Sequence, residues 1–343
     1  MVEDLTMPEL ILHVGLNKTG TSAIQHFFAH HRRKLMESGI LYPSAGMRGT
    51  AHYDLTTALG FNRHGKAPDP EWIRALGDEL YREVDAVRPR KVLVSSEMFV
   101  LPGEIEHVRE FFEGFQVRVL VYLRRHDDWW ISAYNQSVRA IKNPGWASGF
   151  RNYLSFQRRN PNRWYLGYRR FVDAWAEVFG RNVMIVRPYE SSQNRPSLLH
   201  DFLATIGAPL VLVQGMKQAS VNRSVPLQAL QMIDLYQRTV ADDDLRTSLI
   251  AWIEANMKGG IPFDLPLALK RQLVEENLAD YDYIARNYLG RDDGRLFIEP
   301  VTSTTDESLE ETRPMSVEGA MTITMNALQD ILERRQQGNK ANA

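Results

Sequence analysis

The chain contains no cysteine, which excludes disulfides and thiolate metal sites. It has no run of roughly eighteen apolar residues, so no segment reads as a membrane-spanning helix. Its opening, Met1-Val2-Glu3-Asp4, lacks the basic region and apolar core of a secretion signal. That gives the expectation of a cytoplasmic protein. Charge excess is missing too. The formal net charge of −1 argues against a general nucleic-acid binder, which carries a strong basic surplus. No internal repeat is present. At 343 residues, 44% hydrophobic and 24% charged, the chain has the composition of a globular protein with a sizeable core.

The most informative stretch is Ile11-Leu12-His13-Val14-Gly15-Leu16-Asn17-Lys18-Thr19-Gly20-Thr21-Ser22. It reads as an apolar strand, a glycine-bounded turn carrying one lysine, and the start of an amphipathic helix. Backbone N–H groups at such a helix start point at an anion, and the helix dipole favours negative charge there. A nucleotide-triphosphatase loop puts its lysine directly after the second glycine. Here Gly15 and Gly20 keep that spacing, but Thr21 fills the lysine slot and the lysine sits at position 18. A second apolar strand, Val117 to Leu123, ends in Arg124-Arg125. Ser132 follows Arg124 by eight positions, on what reads as a helix running to about Ile141.

These two segments, in this order, resemble the cofactor motifs of sulfotransferases that use 3′-phosphoadenosine 5′-phosphosulfate (PAPS), in particular the bacterial, carbohydrate-sulfotransferase-like branch. The resemblance spans residues 8–298. It implies that Asn17, Lys18, Thr19, Gly20, Thr21 and Ser22 hold the 5′-phosphosulfate. It also implies that Arg124 and Ser132 clamp the 3′-phosphate, with the eight-residue spacing favouring Arg124 over Arg125. Lys18 would neutralise the bridging or leaving oxygen, and no metal is required. Val186 to Glu190 and Leu198 to Leu203 look like the family's third strand and following helix. Asn222 and Ser224 fall where a segment closes over the nucleotide, and Lys258-Gly259-Gly260 is similar to a basic loop of cytosolic members, without its surrounding pattern.

The expected fold is a P-loop-like three-layer α/β/α arrangement with a central parallel sheet and a largely helical C-terminal half. Strands at 10–14, 91–95, 117–123 and 182–187 alternate with helices at 20–38, 52–59, 70–87, 104–112 and 163–179, the pattern of a parallel sheet. Helices are expected near 197–206, 225–238, 241–257 and 264–288. Residues 299–343 read as a polar linker, a terminal helix near 317–335 and a tail.

For the general base the chain offers His52, after the first helix, and Glu97, at the end of the strand over 91–95. The assignment favoured on sequence is His52 as base with Glu97 positioning the acceptor. An ion pair of Glu97 with Arg124 or Lys18 is nearly as good an account of that carboxylate. Arg151 to Arg170 holds six arginines, no Asp or Glu, and five aromatics. It would suit an acidic glycan, but aromatic stripes more often pack as core. The expected reaction moves a sulfuryl group to a hydroxyl of a carbohydrate or glycolipid. Two other readings stay open: an ATP-dependent P-loop small-molecule kinase, and a catalytically inactive relative that binds nucleotide or glycan.

Overall fold

The computed structural model describes residues 8–214, 225–304 and 315–341. In chain order its elements are β1 (Glu9–Val14), α1 (Thr21–His30), α2 (Arg32–Glu37), β2 (Ile40–Leu41), α3 (Tyr53–Ala58), α4 (Pro70–Val87), β3 (Lys91–Ser96), α5 (Ile105–Phe111), β4 (Gln116–Arg124), α6 (His126–Ala140), α7 (Phe150–Arg158), α8 (Tyr168–Phe179), β5 (Met184–Tyr189), α9 (Leu198–Thr205), α10 (Leu227–Thr239), α11 (Asp243–Asn256), α12 (Leu267–Glu275), α13 (Leu278–Leu289) and α14 (Val317–Ala341). They fall into two compact units. The first draws on residues 1–125, 161–219 and 276–299, the second on 126–160, 220–275 and 300–343. Among the described residues no helix is long and apolar enough to cross a membrane.

The first unit is α/β. Its five strands are all parallel, in the order β2-β3-β1-β4-β5. The middle strands are continuous apolar runs, as strands buried on both faces must be: Leu10 to Leu12, Val92 to Val94 and Val119 to Leu123 are at most 1% exposed. Ile24 and Phe28 of α1, with Phe202 and Leu203 of α9, close one core against Ile11, Leu93, Leu120 and Tyr122. Tyr122 donates to Asp201, which also takes Arg187, so these three polar groups at the core are paired with one another. The connection from β1 runs outward past β3 to β2, whereas those from β3 and β4 run the opposite way. With right-handed crossovers, β1 and its neighbours therefore send their connections to opposite faces. Ligands of open α/β sheets bind at such a switch point, beyond the strands' carboxyl ends. That point is the end of β1.

The helix expected over 20–38 is two helices, with His31 at φ −111° between them. The single helix expected over 264–288 is likewise α12 and α13, separated at residues 276–277. Strand β2 is only two residues long, too short for periodicity to reveal. Helix α4 starts where capping chemistry puts it: Asp69 accepts from Trp72 N–H at 3.0 Å, and Pro70 takes the first helical position.

The second unit is helical. Asp234 of α10 accepts from Arg238 at 2.9 Å and from Ser148 at 2.6 Å. Helix α14 docks through Trp252 to Asp330 at 2.8 Å and through Tyr236 and Thr324 at 3.0 Å.

Candidate functional site

The loop from Gly15 to Gly20 leaves β1 at the switch point. Gly15 N–H donates to Ser96 O at 3.2 Å, pinning the start of the loop to the end of β3. A Cβ at Gly15 would lie 2.4 Å from the Thr21 methyl, so only glycine lets the loop fold back this closely. Gly20 sits at φ 77°, and a Cβ there would come 2.3 Å from Leu198 Cδ2. Thr19, fully buried, ties its hydroxyl to Leu16 O at 2.6 Å and closes the turn. Lys18 adopts φ 69° without being glycine, a conformation costing about 1–3 kcal/mol that clusters at ligand clamps.

Helix α1 begins without a capping side chain and without an acidic residue in its first turn. The N–H groups of Thr19, Gly20, Thr21 and Ser22 find no acceptor among the described residues. Four successive amides at a helix N-terminus thus stand beside a half-buried lysine, the kind of arrangement that suits an anion.

Arg124 ends β4, the neighbour of β1 on one side, and donates from Nη1 to Lys18 O at 2.9 Å. Its guanidinium lies 5.3 Å from the centre of the Tyr189 ring, the same ring that approaches Gly20. Tyr168, fully buried, donates to the Arg124 carbonyl. Arg125 is turned elsewhere: it is buried and donates to Glu299 O at 2.8 Å. The structure thus separates the two adjacent arginines and joins Arg124 to the lysine loop. Asn17 reaches Tyr165 OH at 3.4 Å, a hydroxyl that also takes Arg163 at 2.6 Å. Ser132 is half-buried in the second turn of α6, in the second unit. Asn222 and Ser224 lie outside the described residues.

The two candidates for a base differ sharply. His52 is fully buried. Ser95 N–H donates to its Nδ1 at 3.1 Å, and its Nε2 lies 3.1 Å from Pro43 O. Nδ1 also lies 3.2 Å from Ser95 O, so a backbone carbonyl faces each ring nitrogen. Burial pushes its pKa down to about 4. Both ring nitrogens are met by backbone and neither faces solvent, so the base expected on sequence is the more enclosed of the two candidates.

Glu97 opens a single 3-10 turn after β3 and is half-buried. Gln25 donates to its Oε2 at 2.8 Å, and Tyr53 donates its hydroxyl to Oε1. Among the described residues it forms no ion pair, so the pairing with Lys18 or Arg124 weighed on sequence is replaced by two neutral donors. Gln25 also meets Ser95 Oγ at 3.2 Å, and that hydroxyl lies 2.8 Å from Nδ1 of buried His13.

Sequence reasoning missed Gln25, Tyr53 and Tyr189. Gln25 left a signal: a polar residue on the face of α1 that Ile24 and Phe28 bury. In the Arg151 to Arg170 stretch, Tyr153, Tyr165 and Tyr168 are at most 1% exposed and pack as core. No protein-family model matches the chain, and no curated protein matches it.

Proposed function

We propose that the chain is a PAPS-dependent sulfotransferase of P-loop-like fold that acts on a hydroxyl of a carbohydrate or glycolipid. The observation that carries this reading is the contact of two anion-seeking groups at one switch point. The lysine loop, with four unpartnered amides, is bonded directly to the arginine that ends the next strand. Two separated phosphates on one nucleotide suit that pair.

The donor supplies an activated sulfuryl group and leaves as a bisphosphate, so the protein's task is to stabilise anionic charge in place. The amides of Thr19, Gly20, Thr21 and Ser22 hold the 5′-phosphate, helped by the hydroxyls of Thr21 and Ser22. Asn17 flanks the loop. Lys18 sets its cation where charge builds on the leaving oxygen. Arg124 takes the 3′-phosphate. Glu97 takes the proton of the acceptor hydroxyl as that oxygen bonds to sulfur, a role worth roughly 10² to 10⁴ in rate.

The kinase reading calls for a lysine where Thr21 stands, 4% exposed and packed against Gly15. The inactive-relative reading has to leave an oriented carboxylate beside the cradle without a use.

Calorimetric titration with adenosine 3′,5′-bisphosphate, and separately with ATP and Mg²⁺, tests the proposal. The bisphosphate is expected to bind preferentially. Lys18→Ala and Arg124→Ala should each weaken it about 10- to 100-fold, the value of a charge-assisted contact. Tight ATP–Mg²⁺ binding with indifference to the 3′-phosphate would overturn the reading.

A further inference from the structure

We propose that Tyr53 and Gln25 are positioning residues that hold the Glu97 carboxylate aimed, one on each oxygen. The inference rests on reading Glu97 as the base.

Two separate helices converge on this carboxylate. Gln25 comes from α1, 1% exposed, and its amide nitrogen is shared between Glu97 Oε2 at 2.8 Å and Ser95 Oγ at 3.2 Å. With both amide hydrogens spent, the group cannot swing away. Ser95 is in turn held by His13 at 2.8 Å, so the inner end of the chain is anchored in the sheet. Tyr53 opens α3 and donates to the other oxygen. A carboxylate seated on two fixed donors keeps one direction of approach, and donation to the charged form favours that form.

The neutrality of the partners is what suits a base. An arginine or lysine here would also fix the carboxylate, but its charge would cut the affinity for a proton. Two neutral donors orient it and leave the negative charge uncompensated. The titratable groups around it agree with this. Tyr53 is held above its ordinary value by burial and by Glu97 itself, so it remains a donor through the neutral range. Tyr42 is raised by burial and then by Glu97, and gives its proton to Thr50 O at 2.8 Å. Arg48 stands on the far side of the Tyr53 ring, 5.7 Å from its centre, and is paired with Asp54 at 3.3 Å. His52 and His13, behind β3 and on β1, are neutral by burial.

The test needs no acceptor. Protein labelled with ¹³C at glutamate carboxyls is titrated by NMR, and the Glu97 resonance is identified by its loss in Glu97→Gln. The same titration follows in Tyr53→Phe and Gln25→Met, variants that keep the shape of each side chain. Losing a donor to the charged form should raise the Glu97 midpoint by about one pH unit, tenfold in proton affinity. Binding of adenosine 3′,5′-bisphosphate should be unchanged in both. A midpoint that stays put in both variants would overturn the proposal. Wild-type protein that ignores the bisphosphate would instead overturn the functional reading, whatever Glu97 does.

Discussion

Ser95 touches two fully buried histidines of the first unit: its hydroxyl meets His13, and its backbone N–H meets His52. Two positions on, Glu97 has its carboxylate at the margin of the same network. Residues this close in space differ in role because their exits differ. His52 has none, and its removal is therefore a stability experiment. His52→Ala leaves Ser95 N–H and Pro43 O without their partner and opens a cavity beside Tyr42, at a cost of about 2–4 kcal/mol. Urea unfolding should show that loss, while the folded fraction binds adenosine 3′,5′-bisphosphate as wild type does. A loss of bisphosphate affinity without a loss of stability would return His52 to the site. The sequence made His52 and Glu97 visible as candidates by residue type and spacing. It placed His52 first without seeing what such a ranking depends on, which atoms reach each ring nitrogen and each carboxylate oxygen. Those partners come from residues 25, 43, 53 and 95, which only the fold assembles.

At the scale of elements, the proposed anion site is built from β1, its loop and α1. Its form depends on two glycines, of which Gly20 is the stricter. Its left-handed backbone strains any side chain, and a Cβ there would also have to push Leu198 Cδ2 aside from 2.3 Å. Gly20→Ala should cost about 1–3 kcal/mol in backbone strain alone. It should also weaken the bisphosphate more than tenfold, because relieving the strain rotates the amides of Thr21 and Ser22. Thermal unfolding and calorimetry on one preparation check both effects, and unaltered binding would show that these amides do not hold the anion. This element was legible early, since a buried parallel strand and a glycine-bounded turn are both written in local residue types. The division of the 20–38 helix at His31, and of the 264–288 helix at Asn277, was not. Neither break has a Gly or Pro to announce it, and apolar spacing continues across both. The β2 strand escaped for a different reason: Ile40 and Leu41 pair with Lys91 and Val92, and two residues carry no period.

For the molecule as a whole, parallel α/β topology follows from the alternation of strand and helix patterns, but the partition into two discontinuous units does not. The chain passes from one unit to the other five times, after residues 125, 160, 219, 275 and 299, and of these only the last falls at a boundary read from the sequence, the polar stretch that starts at residue 299. Response to acid also belongs to this scale, because it is set by groups the fold seals. Burial lowers His13 to about 3 and His52 to about 4, whereas both titrate near 6.5 in an unfolded chain. Above that value neither state is protonated and the histidines contribute nothing to pH dependence. Below it the unfolded chain takes up protons that the folded one refuses, so stability falls as pH falls. The loss should level off near pH 4 for His52 and near pH 3 for His13. Each histidine contributes up to about 1.4 kcal/mol per pH unit inside its window, or about 4 kcal/mol for the pair between pH 7.5 and 5. That is a large share of a typical stability of about 5–15 kcal/mol. Urea midpoints at the two pH values measure it. His13→Gln, which removes one titrating ring at a site where Nε2 has no partner, should halve the drop. An equal drop in wild type and variant would mean that the proton-linked loss lies in other groups, and that His13 is not held neutral by the core.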